Sequence, residues 1–440
     1  MLAWPAIGAT AEVEVPLARP AIAGFEAARL ISIGELGKRV REQNLGVARA
    51  QLQVATLAHQ RDAAWARFLP TLTLSAAYVR VDGFAQGNFG DLQEVSYGSA
   101  RPYGRLELQL NPLLASYALA SASRQIEAAH AGLEEISGAE LLGAAEAYLD
   151  LVRAQAAFGV RGDALRSAED LHAIATATVQ GGTGSATDAL RARTQVARQR
   201  DALASAELEI RLSSQALAER LHLPPAEALL AAQPSLRVEP WAPDGLEAAG
   251  LLRQAEAHRP ELREKRHAID AAGAQRRQAI ASLAAPTIGA FAQLAGVGTG
   301  YENLAGGQLS YGIGVQWDLS PWRYFETRTA RDREKDAHVV LERSRDRVAR
   351  EVLDAAAGVR TARGRLEPAR EAVESATEAR KLGEVRYRAG SGSATEVIEA
   401  QRDLDAARLG LVEVLVSLDK AQLRLLFALG ALDARTLAGR

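Results

Sequence analysis

The chain of 440 residues has no cysteine, one methionine, 5% aromatic residues and a net charge of only -2. Without cysteine there are no disulfides, no thiolate metal sites and no lipid-modified N-terminal Cys. The balanced charge leaves no basic footprint, so no nucleic-acid partner is expected. No run of about 18 apolar residues occurs, so no helix is expected to cross a bilayer, and a membrane-spanning form would have to be a closed barrel. Catalytic signatures are missing as well. There is no Walker A loop and no H-E-x-x-H, and "GVGTGY" lacks the third glycine of a dinucleotide motif. The seven histidines, at 59, 130, 172, 222, 258, 267 and 338, lack ligand spacing and read as helix-face residues. The charge run "RTARDREKDAH" reads as a solvated helix face. The sequence therefore predicts no enzyme, no catalytic residue, no metal and no cofactor.

What the chain does have is alanine-rich helical sequence, written twice. "TVQGGTGSATDALRARTQV" (178–196) is answered by "RYRAGSGSATEVIEAQRDL" (386–404). The offset of 208 from Gly184 to Gly392 is kept by Ser185/Ser393, Ala186/Ala394, Thr187/Thr395 and Asp188/Glu396. "QNLGVARAQLQVA" and "RPELREKRHAIDA" likewise open polar helices that end at "RFLPTLTLSAAYV" and "SLAAPTIGAFAQL". The reading is of two tandem strand-strand-helix units, 31–230 and 246–431. Between them lies a linker, 231–245, and 432–440 form a tail. Residues 1–30 precede the first unit. Their Ala9-Thr10-Ala11 lacks a basic flank and reads as the clipped remnant of a signal peptide or as a disordered start.

Alternation marks the strands. In "LSYGIGVQWDLS" one face carries Leu309, Tyr311, Ile313, Val315, Trp317 and Leu319, and the other is polar or glycine; "RLELQL" alternates in the same way. Strands are expected at about 70–81, 104–111, 286–295 and 309–320, near the 9–11 residues that cross a bilayer when tilted. Pro70, Pro112, Pro286 and Pro321 stand at the helix-strand junctions. Trp65, Phe68, Trp317, Trp322, Tyr324 and Phe325 lie beside them, as in the aromatic girdle of a membrane barrel or the end of an ordinary soluble sheet. Long helices are expected over 113–179 and 324–387, roughly 65 residues or about 100 Å each, with shorter ones over 33–68 and 186–222. Val348, Val352, Ala355, Val359, Ala362, Leu366, Ala369, Val373 and Ala376 keep a four-three spacing, a coiled-coil seam. Pro368 within it predicts a kink near Gly364. One chain offers four strands, and two bare sheet edges in lipid are not viable, so several copies must share a barrel; three give twelve strands and begin to leave a lumen.

With these motifs in view, the chain resembles the TolC-like outer-membrane efflux family over about 31–431. The resemblance is carried by "LPTLTLSA", "YGIGVQWDLSPW" and above all "YRAGSGSATEVIEAQRDL". It implies a mostly α fold with a β-barrel part. The expected assembly is a homotrimer in outer-membrane lipid, whose twelve-stranded barrel continues into an α-helical periplasmic tunnel. It also implies a periplasmic adaptor (membrane fusion) protein and an inner-membrane transporter as partners, in the efflux of drugs or the secretion of proteins from a Gram-negative cell. Glu396 and Glu399 match the family's acidic ring at the closed periplasmic end, and Asp188 and Tyr387 match its gate contacts. The family's cationic partner falls on Gly392, with Arg388 as a candidate substitute. Gly181, Gly182, Gly184, Ser185, Gly390, Ser391 and Gly392 would form the adaptor-docking tips. "NPLLASYALAS" and "DLSPWRYFETR" replace the family's Phe-Asp-Gly segments.

Plainer readings remain beside these. Glu396 and Asp188 occupy capping-box positions, and the turn glycines simply permit positive φ. Glu399 falls a turn further on, where the first copy has Arg191, and a cap does not account for it. The competing whole-chain reading is a non-enzymatic periplasmic coiled-coil adaptor or scaffold, although an adaptor would need one hairpin flanked by Gly-rich β modules. Nothing in the sequence names the cargo.

Overall fold

A computed structural model describes residues 14–20, 24–87, 89–182, 184–224, 226–242, 247–299 and 303–438. The Ala9–Ala11 motif lies outside them. In chain order the elements are β1 (Val15–Pro16), β2 (Arg29–Ile31), α1 (Ile33–Gln43), α2 (Leu45–Ala66), β3 (Thr71–Gln86), β4 (Leu92–Leu110), α3 (Pro112–Gln180) and α4 (Ala186–Arg220). The second half continues with β5 (Leu229–Ala231), β6 (Ser235–Leu236), α5 (Ala248–His258), α6 (Pro260–Ala281), β7 (Thr287–Thr299), β8 (Asn303–Gln316), α7 (Trp322–Arg388), α8 (Ala394–Ala428) and α9 (Ala434–Ala438). The halves correspond closely in length: α1 and α5 have 11 residues, α2 and α6 have 22, α4 and α8 have 35, and α3 and α7 have 69 and 67. Among the described residues no helix is long and apolar enough to cross a membrane.

Two compact units divide the chain. The first comprises Met1–Gln51, Gly132–Glu261 and Ser344–Arg440, the second Leu52–Ala131 and Leu262–Arg343. In the first, small side chains let the helices approach closely: Ala144, Ala145 and Ala156 are fully buried beside Leu151, Val152, Leu217 and Leu415. Two miniature sheets join this core. β2 pairs in parallel with β5, and β1 pairs antiparallel with β6. Leu17 N–H donates to the Pro234 carbonyl at 2.9 Å, and Phe25 is buried under the Arg211 guanidinium. Residues 14–20 and 24–31 are thus part of the fold, neither a free start nor a plain connector. Strands of two or three residues leave no period in the sequence, so the pattern could not reveal them.

The expected helix over 33–68 is two helices, broken at Asn44. Its Oδ1 accepts from Gly46 N at 2.8 Å and Val47 N at 3.1 Å, capping α2, while its Nδ2 reaches Glu140 at 3.0 Å and the Arg220 carbonyl at 3.2 Å. The break between α5 and α6 has a different occupant. There Arg259, 2% exposed, donates to the Phe427 carbonyl at 2.7 Å and lies 4.4 Å over the Phe427 ring. Its guanidinium is 2.7 Å from Glu351 and 3.2 Å from Glu135. Burial pushes the Glu135 carboxyl up, against the pull of Arg259. Removing one acid leaves Arg259 paired with the other, so the loss stays below the roughly 3–5 kcal/mol of breaking an isolated buried pair. Pro368 lies within α7 without ending it. The lost ladder bond is outweighed by a helix already nucleated on both sides.

The second unit holds one antiparallel sheet in the order β3-β4-β7-β8. Its register assembles a continuous apolar face, since directly opposed residues share a face. Leu110, Ile288 and Val315 form one row; Leu108, Ala290 and Ile313 the next; then Leu72, Leu106, Ala292 and Tyr311; then Leu74, Gly104, Leu294 and Leu309. This face is bare in the single chain, with Leu74 76%, Tyr311 80% and Ile313 81% exposed. The opposite face carries Thr73, Arg105, Gln293 and Ser310 in one row, and Thr71, Glu107, Phe291 and Gly312 in another. β3 and β4 run well past the expected 70–81 and 104–111. Beyond Tyr78 the face that was apolar turns polar (Arg80, Asp82, Ser96) while Val79, Val81, Val95 and Tyr97 fall on the other, so the alternation inverts while main-chain pairing continues to Gln86 and Leu92.

Candidate functional site

The two hairpin tips are built alike. After α3, Gly182 takes φ +78, and Gly181, Gly182 and Gly184 donate to the Ala177, Val179 and Thr178 carbonyls. After α7, Gly390 takes φ +74, and Gly390, Ser391 and Gly392 donate to Tyr387, Arg386 and Arg386. Both are left-handed helix stops that satisfy the last carbonyls. A Cβ on Gly184 would sit 2.8 Å from Thr178 backbone, and one on Gly392 would sit 3.1 Å from the Tyr387 nitrogen. A side chain at 392 would therefore need its neighbours Arg386 and Tyr387 to give by a few tenths of an ångström. Ser185 and Ser393 then cap α4 and α8, accepting from Thr187 N at 3.2 Å and Glu396 N at 3.3 Å.

Glu396 and Glu399 are both exposed on α8. The carboxylate of Glu396 lies 3.8 Å from Arg386, and no bond from it back to Ser393 is seen among the described residues. Glu399 lines a groove with Thr187, Arg191, Arg198, Thr395 and Arg402, and makes no ion pair among the described residues. Asp188 lies 3.7 Å from Arg191. Tyr387 packs on Leu171, Ala175, Ala192, Val397 and Ile398; burial pushes its phenol up, the nearby Asp188 charge adds to this, and a hydrogen bond with Thr178 opposes it. Arg388 does not supply the missing link between tips. It bonds Glu384 one turn back on its own helix at 2.6 Å. Arg191 does span the tips, donating to Thr395 Oγ1 at 3.0 Å, and Arg402 reaches back to Gln195 at 3.4 Å in the same groove. The repeat position of Arg191, opposite Glu399, was the only trace of its contact in the sequence.

Above the tips, Asp405 is 3% exposed and accepts from Gln401 at 2.7 Å and Gln199 at 3.4 Å. Burial pushes its carboxyl up, opposed by Gln401 and by the charges of Arg161, Arg408 and Arg380. No motif announced this carboxylate, which occupies a position the helix pattern reserves for apolar residues.

The sequence profile of the outer membrane efflux protein family matches residues 251–431. No curated protein matches the chain in sequence. Among solved structures it is similar to VceC from Vibrio cholerae at 18% identity and TM-score 0.76, covering 90% of this chain and 96% of that one. The CmeC outer membrane channel of Campylobacter jejuni matches at 15% identity and TM-score 0.79, covering 91% and 85%. The open state of the Neisseria gonorrhoeae MtrE outer membrane channel matches at 19% identity and TM-score 0.76, covering 97% and 96%. The profile match covers well under half of the 440 residues, and these structural matches lie at 19% identity or below. The chain as a whole has the fold of these outer membrane channels.

In this chain the sheet meets the helices through the four prolines. Pro70 and Pro286 immediately precede β3 and β7, Pro112 is the first residue of α3, and Pro321 directly precedes α7. Asn111 secures one junction, accepting from Leu114 N at 3.1 Å and donating to the Ala285 carbonyl at 3.1 Å. Trp65, Trp317, Trp322, Tyr324 and Phe325 are all about half exposed or more at these joints, which suits a headgroup level better than a core.

Proposed function

We propose that three copies pool their sheets into a twelve-stranded barrel in outer-membrane lipid, continuous with an α-helical tunnel built from two tandem repeats, 31–230 and 246–431. The trimer is the passive exit duct of a tripartite efflux or type I secretion system, and no chemistry is performed. A periplasmic adaptor docks at the glycine tips, and an inner-membrane transporter drives the cargo. Glu396 and Glu399 of three chains form a ring of six carboxylates that attracts cations at the periplasmic entrance. Asp188, Tyr387 and the Arg191–Thr395 bond hold the tips together.

One observation carries this reading: a single chain presents a four-stranded sheet with one apolar face exposed and both edges, β3 and β8, unpaired among the described residues. In lipid each bare N–H and C=O costs several kcal/mol, so the edges need partners. The lack of native cysteine makes the test clean. Cysteines placed along β3 and β8 should cross-link neighbouring chains into a trimer in detergent extracts of outer membrane. A water-soluble monomer with no cross-link between chains would refute the duct.

A further inference from the structure

The polar face of the sheet carries an excess of positive charge. β7 and β8 contain no charged residue. On β3 and β4 the charges are Arg80, Asp82, Glu94, Arg101, Arg105 and Glu107. The register puts Arg80, Asp82 and Glu94 on the same side as Leu72 and Leu106, beyond the apolar rows. Arg101, Arg105 and Glu107 lie on the opposite, polar side, level with those rows. Charge at that depth on the lipid side would be strongly destabilising, which agrees with its absence there.

These three residues do not cancel. The Glu107 carboxylate is 3.0 Å from Arg105 and accepts from Gln109 at 2.6 Å, so one acid and one base neutralise each other. The Arg105 guanidinium is held 4.8 Å over the Phe291 ring. Arg101 donates to Ser99 Oγ at 3.3 Å and has no acidic partner among the described residues. Each chain thus contributes two positive charges and one negative, a net +1, to the polar face.

We propose that Arg101 and Arg105 form an electropositive collar inside the barrel that favours passage of anionic solutes. The collar rests on the barrel reading, because only closure turns the polar face into a lumen. Three chains, each with +1, give the collar +3, in a confined space where fixed charge raises the local concentration of counter-ions.

The test is the reversal potential of the full chain in planar bilayers under a potassium chloride gradient. A Glu396→Ala/Glu399→Ala background removes the tip acids. In that background Arg101→Ala should lower the anion-to-cation permeability ratio about twofold or more, and Glu107→Gln should raise it, since the two shift the collar in opposite directions. Opposite shifts are not expected from a mere loss of structure. A conducting trimer whose ratio is indifferent to both substitutions overturns the collar alone. A chain that never conducts has no lumen and overturns both readings.

Discussion

The sheet offers a sharp test at two adjacent residues, Leu309 and Ser310. Leu309 ends the row Leu74, Gly104, Leu294, Leu309, whereas Ser310 lies across from Gln293 on the polar face. The apolar rows extend from Leu110 to about Ala100 on β4, ten residues or about 34 Å at about 3.4 Å per residue. Tilted by about 40°, that is about 26 Å, close to the roughly 25 Å apolar band of a membrane barrel. The Leu309 row is six residues above Leu110, hence about 16 Å up, which on the proposed barrel is within a few Å of the bilayer centre. Leu309→Arg should therefore cost about 2–4 kcal/mol per chain, while Ser310→Arg, of equal size and charge, should fall within about 0.5 kcal/mol of the parent. Denaturant unfolding of the trimer in lipid vesicles reads the difference. In water the ordering would vanish, because Leu309 is already 66% exposed in the lone chain. Equal effects at the two positions, or a larger one at Ser310, would refute the assignment of the lipid face.

Two further outcomes are expected. Glu396→Ala with Glu399→Ala should weaken divalent-cation block of bilayer conductance; block of unchanged strength would reject the acidic ring. Asp419, 3% exposed and accepting from Glu239 N at 3.3 Å, has its carboxyl pushed well above the usual range by burial, with Glu239 N–H opposing and the Glu239 charge adding. The folded state then holds this proton more tightly than the unfolded one, so stability falls as pH rises through the raised value and is regained as pH falls towards the ordinary carboxylate range. Asp419→Asn should flatten that dependence and stabilise the protein near neutral pH. Thermal midpoints between pH 5 and 8 that keep the parental slope would contradict the burial argument.

Much of the architecture was legible because it is periodic. The four-three seam from Val348 to Ala376 gave a long helix, and the period-two face from Leu309 gave a strand, although that strand stops at Gln316 and leaves Trp317 and Leu319 outside it. Glycines at 182 and 390 gave the turns, because left-handed φ there suits little else. What stayed hidden lacks a period. The two miniature sheets are too short to repeat. In the outer parts of β3 and β4 the polar and apolar faces change places, with Arg80, Asp82 and Ser96 on one side and Val79, Val81, Val95 and Tyr97 on the other. The breaks at Asn44 and Arg259 depend on what lies across the fold rather than along the chain. The same holds at the tips, where sequence pointed to Arg388 but geometry commits it to Glu384 and gives Arg191 the contact with Thr395.

The two halves also show what duplication keeps. At the break between the short helices, Asn44 and Arg259 differ in size and charge. Yet each donates to a carbonyl in the last turn of the 35-residue helix of its half, Arg220 or Phe427, and each meets a glutamate of its long helix, Glu140 or Glu351. At the offset of 208, Ser214 and Gln422 both accept main-chain N–H groups of the connecting segment, from Leu229 and from Trp241 and Ala242. What persists is the need to satisfy a backbone group; the side chain that does so is free to change. Arg191 and Glu399 do not follow that rule, since they hold equivalent positions with opposite charges and different partners. Arg191 is committed across the tips, whereas Glu399, with no ion pair of its own, keeps an exposed charge. A residue retained for packing would not stay unpaired beside three arginines in one groove, so the asymmetry favours a role for Glu399 toward something outside the single chain.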